Sequence, residues 1–106
     1  MNTQHTPAPW HIGESNPWLV YAADGYAVAD TRTYHGRHAD TKADARLIAA
    51  APEMLHALQY QLDLMQWIET ADTESPFYEQ TMTLRLNTGR DYMELAIAKA
   101  IGKETA

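Results

Sequence analysis

The sequence predicts an α+β fold: an N-terminal antiparallel β-hairpin or three-stranded meander packed on two or three C-terminal α-helices. Three observations carry this reading. Asp24-Gly25 lies between two short runs, Trp18–Ala23 and Tyr26–Asp30, and such a pair is a strong hairpin signal. Further on, Leu55, Leu58, Leu62 and Met65 recur at spacings of three, four and three, one stripe of a helix. Gly102 then follows a last apolar-periodic stretch, where a glycine commonly ends a helix. At 106 residues the chain makes one domain, residues 1–106.

The elements follow in order. Residues 1–9 hold two prolines and no apolar periodicity, and read as an extended arm. Residues 10–30 hold the strands. Trp10–Ile12 can form a short first strand, ended by Gly13 and the Ser15-Asn16-Pro17 turn cluster. A two-residue type I′ turn at Asp24-Gly25 pairs Ala23 with Tyr26 and Tyr21 with Val28. One face then carries Leu19, Tyr21, Tyr26 and Val28. The other carries Trp18, Val20, Ala22, Ala27 and Ala29, and its small side chains let helices lie close.

Residues 31–40 are polar and read as a loop. Thr41 with Asp44 resembles a capping box. Residues 42–70 read as one kinked helix or a pair of helices, because Pro52 either kinks the first or opens a second. Leu64, Trp67 and Ile68 form a second stripe, offset from the first. A lone amphipathic helix needs one stripe only, so the second is expected to meet another helix or another subunit. These three residues are the expected interface of a homo-oligomer. Residues 76–101 read as an interrupted helix: Pro76 in its first turn, a break at Asn87-Thr88-Gly89, then a last helix burying Met93, Ala96, Ile97 and Ala100.

Composition excludes several function classes. There is no cysteine, hence no disulfide and no thiol chemistry. No segment approaches the ~20 apolar residues that span a bilayer, so no membrane partner is expected. The opening MNTQHTPAPW lacks the basic-then-apolar pattern of a secretory signal. A net charge of −6 disfavours direct nonspecific nucleic-acid binding. Among the five histidines, His35 and His38 are close, but no HExxH pattern supports them and no metal is expected. Glu53, Asp63 and Glu69 sit where helices carry solvated charge. There is no nucleophile elbow and no phosphate loop. Neither enzymatic activity nor a cofactor is expected.

Charge distribution is more informative. Arg32, Arg37, Lys42 and Arg46, four of the eight basic residues, fall within fifteen positions, with His35 and His38 among them and Asp40 and Asp44 opposing. A helix begins inside this segment, and free amides at a helix start attract anions. Arg37, His38, Lys42 and Arg46 are therefore the candidate ligand-binding set for a small anion or an acidic partner. The plainer alternative pairs Arg46 with a nearby carboxylate and leaves the rest solvated. Trp10, Trp18, Tyr21, Tyr26 and Tyr34 crowd the strand and loop region. They can stack on a base, cover a small core or build a dimer contact.

His5, Thr6, Pro7, Pro9 and Trp10, then Asp44 through Glu53, then about Leu95 to Gly102, resemble a large family of small proteins encoded by bacteriophages and prophages. Its members typically begin with His-Thr-Pro-x-Pro-Trp and continue with Asx-Ala-Arg-Leu-Ile-Ala-Ala-Ala-Pro-Glu. The family usually has Asn where this chain has Asp44. The resemblance implies a phage accessory protein in the host bacterial cytoplasm, with evasion of host immunity as the leading context. Two mechanisms fit. One is a sponge: sheet followed by helices looks like the layout of phage anti-defence proteins, Thoeris sponges included, that sequester cyclic-nucleotide signals as oligomers. The other is an inhibitor that binds a host defence protein, as anti-CRISPR proteins do, through the acidic surface of Asp63, Glu69, Asp72 and Glu74. An unrelated host-takeover role stands behind both.

Overall fold

A computed structural model describes residues 5–32 and 41–103. The expected α+β layout is found. Strands β1 (His11–Ile12), β2 (Leu19–Tyr21) and β3 (Ala27–Asp30) form an antiparallel meander in the order β1-β2-β3. Helices α1 (Thr41–Ala49), α2 (Ala51–Thr70) and α3 (Tyr78–Ile101) follow.

The hairpin lies where Asp24-Gly25 places it, and Leu19–Asp30 and Val20–Ala29 pair in the expected register, but next to the turn the register is shifted by one. Tyr21 pairs with Ala27 rather than Val28, and an irregularity follows between Val20 and Tyr21. Gly25 alone takes a positive φ, +90°, while Asp24 does not. The Gly25 amide donates to the Ala22 carbonyl at 3.0 Å and the Ala22 amide to Tyr26 at 2.8 Å. This is a three-residue loop in which a turn is followed by one left-handed glycine, and it consumes one residue more than a type I′ turn. Val28, the residue skipped at this irregularity, packs against the core, and Ala27 is exposed.

Val20, Ala45 and Ala49 form the buried centre, with Trp10, Ile12, Val28, Ala29 and Ile48 packed around them. Ala45 and Ala49 are one turn apart on α1, so the helix settles against the sheet through its smallest side chains. The Thr31 hydroxyl, 2.9 Å from the Trp18 carbonyl and 2.8 Å from that of Thr41, shares its one proton between them and ties β3 to the start of α1. Ala50 separates α1 from α2, and Pro52 sits in the first turn of α2. A missing N–H costs no bond there. Of the two readings at Pro52, the chain takes the new start.

α3 corrects the expected interruption. It runs unbroken through Asn87-Thr88-Gly89 and begins at Tyr78, with Pro76 in the preceding turn. Gly89 is buried where α3 crosses α2. A Cβ at this position would meet the Gln61 amide and lie 3.3 Å from the Tyr60 ring. Glycine costs a helix about 1 kcal/mol against alanine, and here it allows the two backbones to approach. At the far end Gly102, at φ +75°, closes α3 as expected: its amide reaches Lys99 O at 3.3 Å and the Lys103 amide reaches Ala98 O at 2.8 Å.

Of the two stripes of α2, the first is reversed relative to expectation. Leu64 is 2% exposed, and Trp67 stacks on Tyr78 of α3 with ring centroids 5.6 Å apart. Of the two partners expected for the stripe Leu64, Trp67 and Ile68, another helix or another subunit, α3 supplies the helix, with Ile68 at the margin, 38% exposed. The stripe assigned to the interior is outside: Leu58, Leu62 and Met65 are 68%, 49% and 59% exposed. On α3, Ala96 is buried as expected, but Met93 and Ile97 are exposed. The reason is the crossing at Gly89, which fixes which side of α2 turns toward α3. Only α2 and α3 meet along this antiparallel hairpin, and it makes the molecule long, 59 × 28 × 25 Å. Its radius of gyration is 17.6 Å, against ~13 Å for a compact chain of this size. No helix among the described residues is long and apolar enough to cross a membrane.

Candidate functional site

Four elements meet at the end of the molecule away from the hairpin tip: β1, the last turn of α1, the first turn of α2 and the end of α3. Lys99 of α3 joins α2 to the residue before β1. Its Nζ donates to Glu53 Oε1 and to the Trp10 carbonyl, both at 2.8 Å. Glu53 lies in the first turn of α2 and Lys99 in the last turn of α3, the ends at which a carboxylate and an ammonium are each favoured by the helix dipole. Their side chains are 32% and 20% exposed, so the pair is partly withdrawn from water.

A cleft of about 570 Å³ opens beside this pair, between Trp10, His11 and Ile12 on one side and Arg46, Lys99 and Gly102 on the other. The Arg46 side chain runs across the C-terminal glycine of α3. A Cβ at Gly102 would come within 2.7 Å of its Nε. No carboxylate lies within 4.0 Å of Arg46 among the described residues. Lys99 is engaged by Glu53, which leaves Arg46 as the cationic group of the cleft without a carboxylate partner among the described residues. His11 stacks on Tyr21 at 5.8 Å, and the Trp10 indole N–H donates to Thr6 O at 3.1 Å. Both rings are thereby fixed in orientation at the mouth of the cleft.

Of the candidate cationic set, Arg46 lines this cleft. Lys42 stands one turn before Arg46 on the same helix, exposed to solvent. Arg37 and His38 lie outside the described residues, as do His35 and Tyr34. Arg46 itself is in the last turn of α1 rather than the first. The attraction of amides at a helix start therefore does not reach it, and its charge faces carbonyl-rich helix ends. Among the aromatics, Trp10 lines the cleft. Trp18 lies under the Arg32 guanidinium at 5.2 Å, and Tyr26 is 77% exposed at the hairpin turn. Among the described residues no three His, Asp or Glu gather to hold a metal ion.

One feature escaped sequence reasoning. A largely apolar groove of about 340 Å³ lies on the other side of Pro9, lined by Ala8, Pro52, His56, Tyr92 and Leu95. His56 meets Tyr92 in its wall at 4.5 Å, and Tyr60 meets Tyr92 behind it at 5.2 Å, both edge to face. From His5 onward the arm is held against the fold. The Pro7 carbonyl accepts from the Ala23 amide at 3.2 Å, and His5 meets Trp10 edge-on at 6.1 Å. The recognisable N-terminal element, the Pro52-Glu53 element and the C-terminal helix thus converge on one spot.

The model of the family described as Salmonella phage P22 protein Y8K6 matches residues 1–104. The chain belongs to that family of phage proteins. No curated protein and no solved structure shows a significant match to it.

Proposed function

From membership of this phage family we propose that the protein is a non-enzymatic anti-defence protein of the host bacterial cytoplasm, sequestering a small anionic nucleotide signal in the cleft beside Arg46. The observation that carries the reading is Arg46 itself. It is a guanidinium without a carboxylate neighbour among the described residues, in a cleft of about 570 Å³ beside two oriented rings. Clefts of ~300–1,000 Å³ suit nucleotide-sized ligands. Arginine meets phosphate bidentately. Trp10 and His11 offer faces for a base, and Lys42, one turn before Arg46 on α1, adds positive charge to the same helix. Arg37 and His38 belong to the same proposed set. No cofactor takes part.

The test is thermal shift and calorimetry against a panel of cyclic mono- and dinucleotides, with inorganic phosphate as control. A saturable shift is expected with at least one nucleotide, lost in Arg46→Ala at unchanged helix content. Saturable binding that survives Arg46→Ala would remove the cleft from the reading.

A second reading has its own support. Asp63, Glu69, Asp72 and Glu74 are all exposed on the distal half of the hairpin, an acidic end suited to a basic channel of a host defence protein. It takes the lead if no nucleotide binds and a variant with all four changed to Asn or Gln loses anti-defence activity.

A further inference from the structure

The interior of one copy is built almost wholly from alanine. Of the eight buried hydrophobic residues among those described, six are alanines, and only Val20 and Leu64 are larger. The large apolar side chains are outside. On α2 they form the stripe Leu55, Leu58, Leu62 and Met65, and on α3 Leu86, Met93 and Ile97 are exposed at spacings of seven and four. Monomeric proteins rarely leave contiguous apolar surface of this extent uncovered.

We infer that the α2 stripe docks on the same stripe of a second copy, antiparallel about a two-fold axis near Tyr60, so that two hairpins form a four-helix assembly. Three properties of the stripe select a second copy. Its spacing of three, four and three is that of a coiled-coil seam, whose natural partner is another such seam. Its charge is self-compatible. The chain carries −6, yet no Asp, Glu, Lys or Arg occurs from Met54 to Leu62, and Gln59, Gln61 and Gln66 flank the seam. An axis near Tyr60 sets Leu58 of one copy against Leu62 of the other and Leu55 against Met65. Glu69 then falls beside Ala51, so no carboxylate meets a carboxylate. Lastly, the area is adequate. A 20-residue helix such as α2 is ~30 Å long and two neighbouring helices are ~20 Å wide. The hairpin face therefore projects on the order of 600 Å², and its corrugated accessible area approaches the ~800 Å² per partner of a stable interface. This inference is independent of any ligand in the cleft.

Light scattering on the full chain at high micromolar concentration is expected to give twice the 12.0 kDa chain mass. Leu58→Lys with Leu62→Lys is expected to give the single-chain mass with unchanged helix content, whereas Leu95→Lys, also at an exposed leucine but off the seam, keeps the doubled mass. A wild-type chain at single-chain mass, or a doubled mass surviving Leu58→Lys with Leu62→Lys, overturns the inference. Cross-linking covers the case in which the lysine variant unfolds. The chain has no cysteine, so Leu58→Cys and Leu62→Cys chains can be mixed and oxidised. Mixed disulfide dimers exceeding those of either variant alone support the antiparallel seam; equal or greater yield from one variant alone refutes it.

Discussion

Replacing Lys99 with methionine keeps the aliphatic stem and removes the ammonium that joins Trp10 O to Glu53 Oε1, each at 2.8 Å. A hydrogen bond to a charged group contributes about 1.5–3 kcal/mol when withdrawn from water. A solvent-exposed ion pair contributes about 0–1 kcal/mol, and breaking a fully buried one costs about 3–5 kcal/mol. With side chains 20% and 32% exposed, this pair falls between those limits. The expected loss is about 2 kcal/mol. For a domain near 100 residues that lowers the melting temperature by roughly 10 °C. Urea denaturation is the assay, at one fixed protein concentration because association adds to apparent stability. Glu53→Gln is measured alone and combined with Lys99→Met. In the double-mutant cycle the two changes should be non-additive by more than ~0.5 kcal/mol. A loss below ~0.5 kcal/mol for Lys99→Met, or additivity of the two changes, would refute the claim that this contact fastens the two ends of the fold.

Three further outcomes are expected. Gly89→Val should lower stability by about 1–3 kcal/mol, because a branched side chain reaches the Tyr60 ring at the helix crossing; wild-type stability in urea denaturation would show that α2 and α3 do not cross there. Gly102→Ala should cost about 1–2 kcal/mol, since its φ is +75° and its Cβ displaces Arg46; a melting temperature matching wild type would refute this. Hydrogen bonds from Arg32 hold the Asp30 carboxyl below its ordinary value of 3.8. The contribution of this exposed pair to stability is thus present above that value and fades as pH falls through the lowered one. An NMR titration should see Asp30 return toward the ordinary value in Arg32→Gln, and an unmoved titration would contradict the assignment.

The hairpin, the helix after the loop and the closing glycine were legible because each is encoded by neighbours in sequence. What failed was decided elsewhere. Asp24-Gly25 serves a two-residue turn or a three-residue loop equally well, and the flanking residues do not choose between them. The two stripes of α2 are alike in hydrophobicity. Gly89, 28 residues beyond Gln61, settles which one turns inward by admitting the backbone of α2 on that side. The same packing keeps α3 helical through Asn87-Thr88-Gly89, where local propensity alone reads a break. The cleft was legible only as basic character at Lys42 and Arg46. Its remaining lining includes Trp10 and Lys99, 89 positions apart, which no periodicity connects.

The Gly89 crossing also divides the molecule into regions of unequal cooperativity. On one side of it the two helices pack directly against α1, and Lys99 ties them to Trp10 beside β1. On the other side each helix has only its neighbour, through Trp67, Tyr78 and the Arg85 guanidinium 4.9 Å from the Trp67 ring. Local opening costs least where buried contacts are fewest. Amide protons of the hairpin tip, residues 66–84, should therefore exchange through openings that leave the sheet and α1 intact, while those of β1 and the last turns of α3 exchange together as one unit. A second copy laid along α2 would slow exchange at the tip most of all, making that segment the part of the chain whose rigidity depends on assembly.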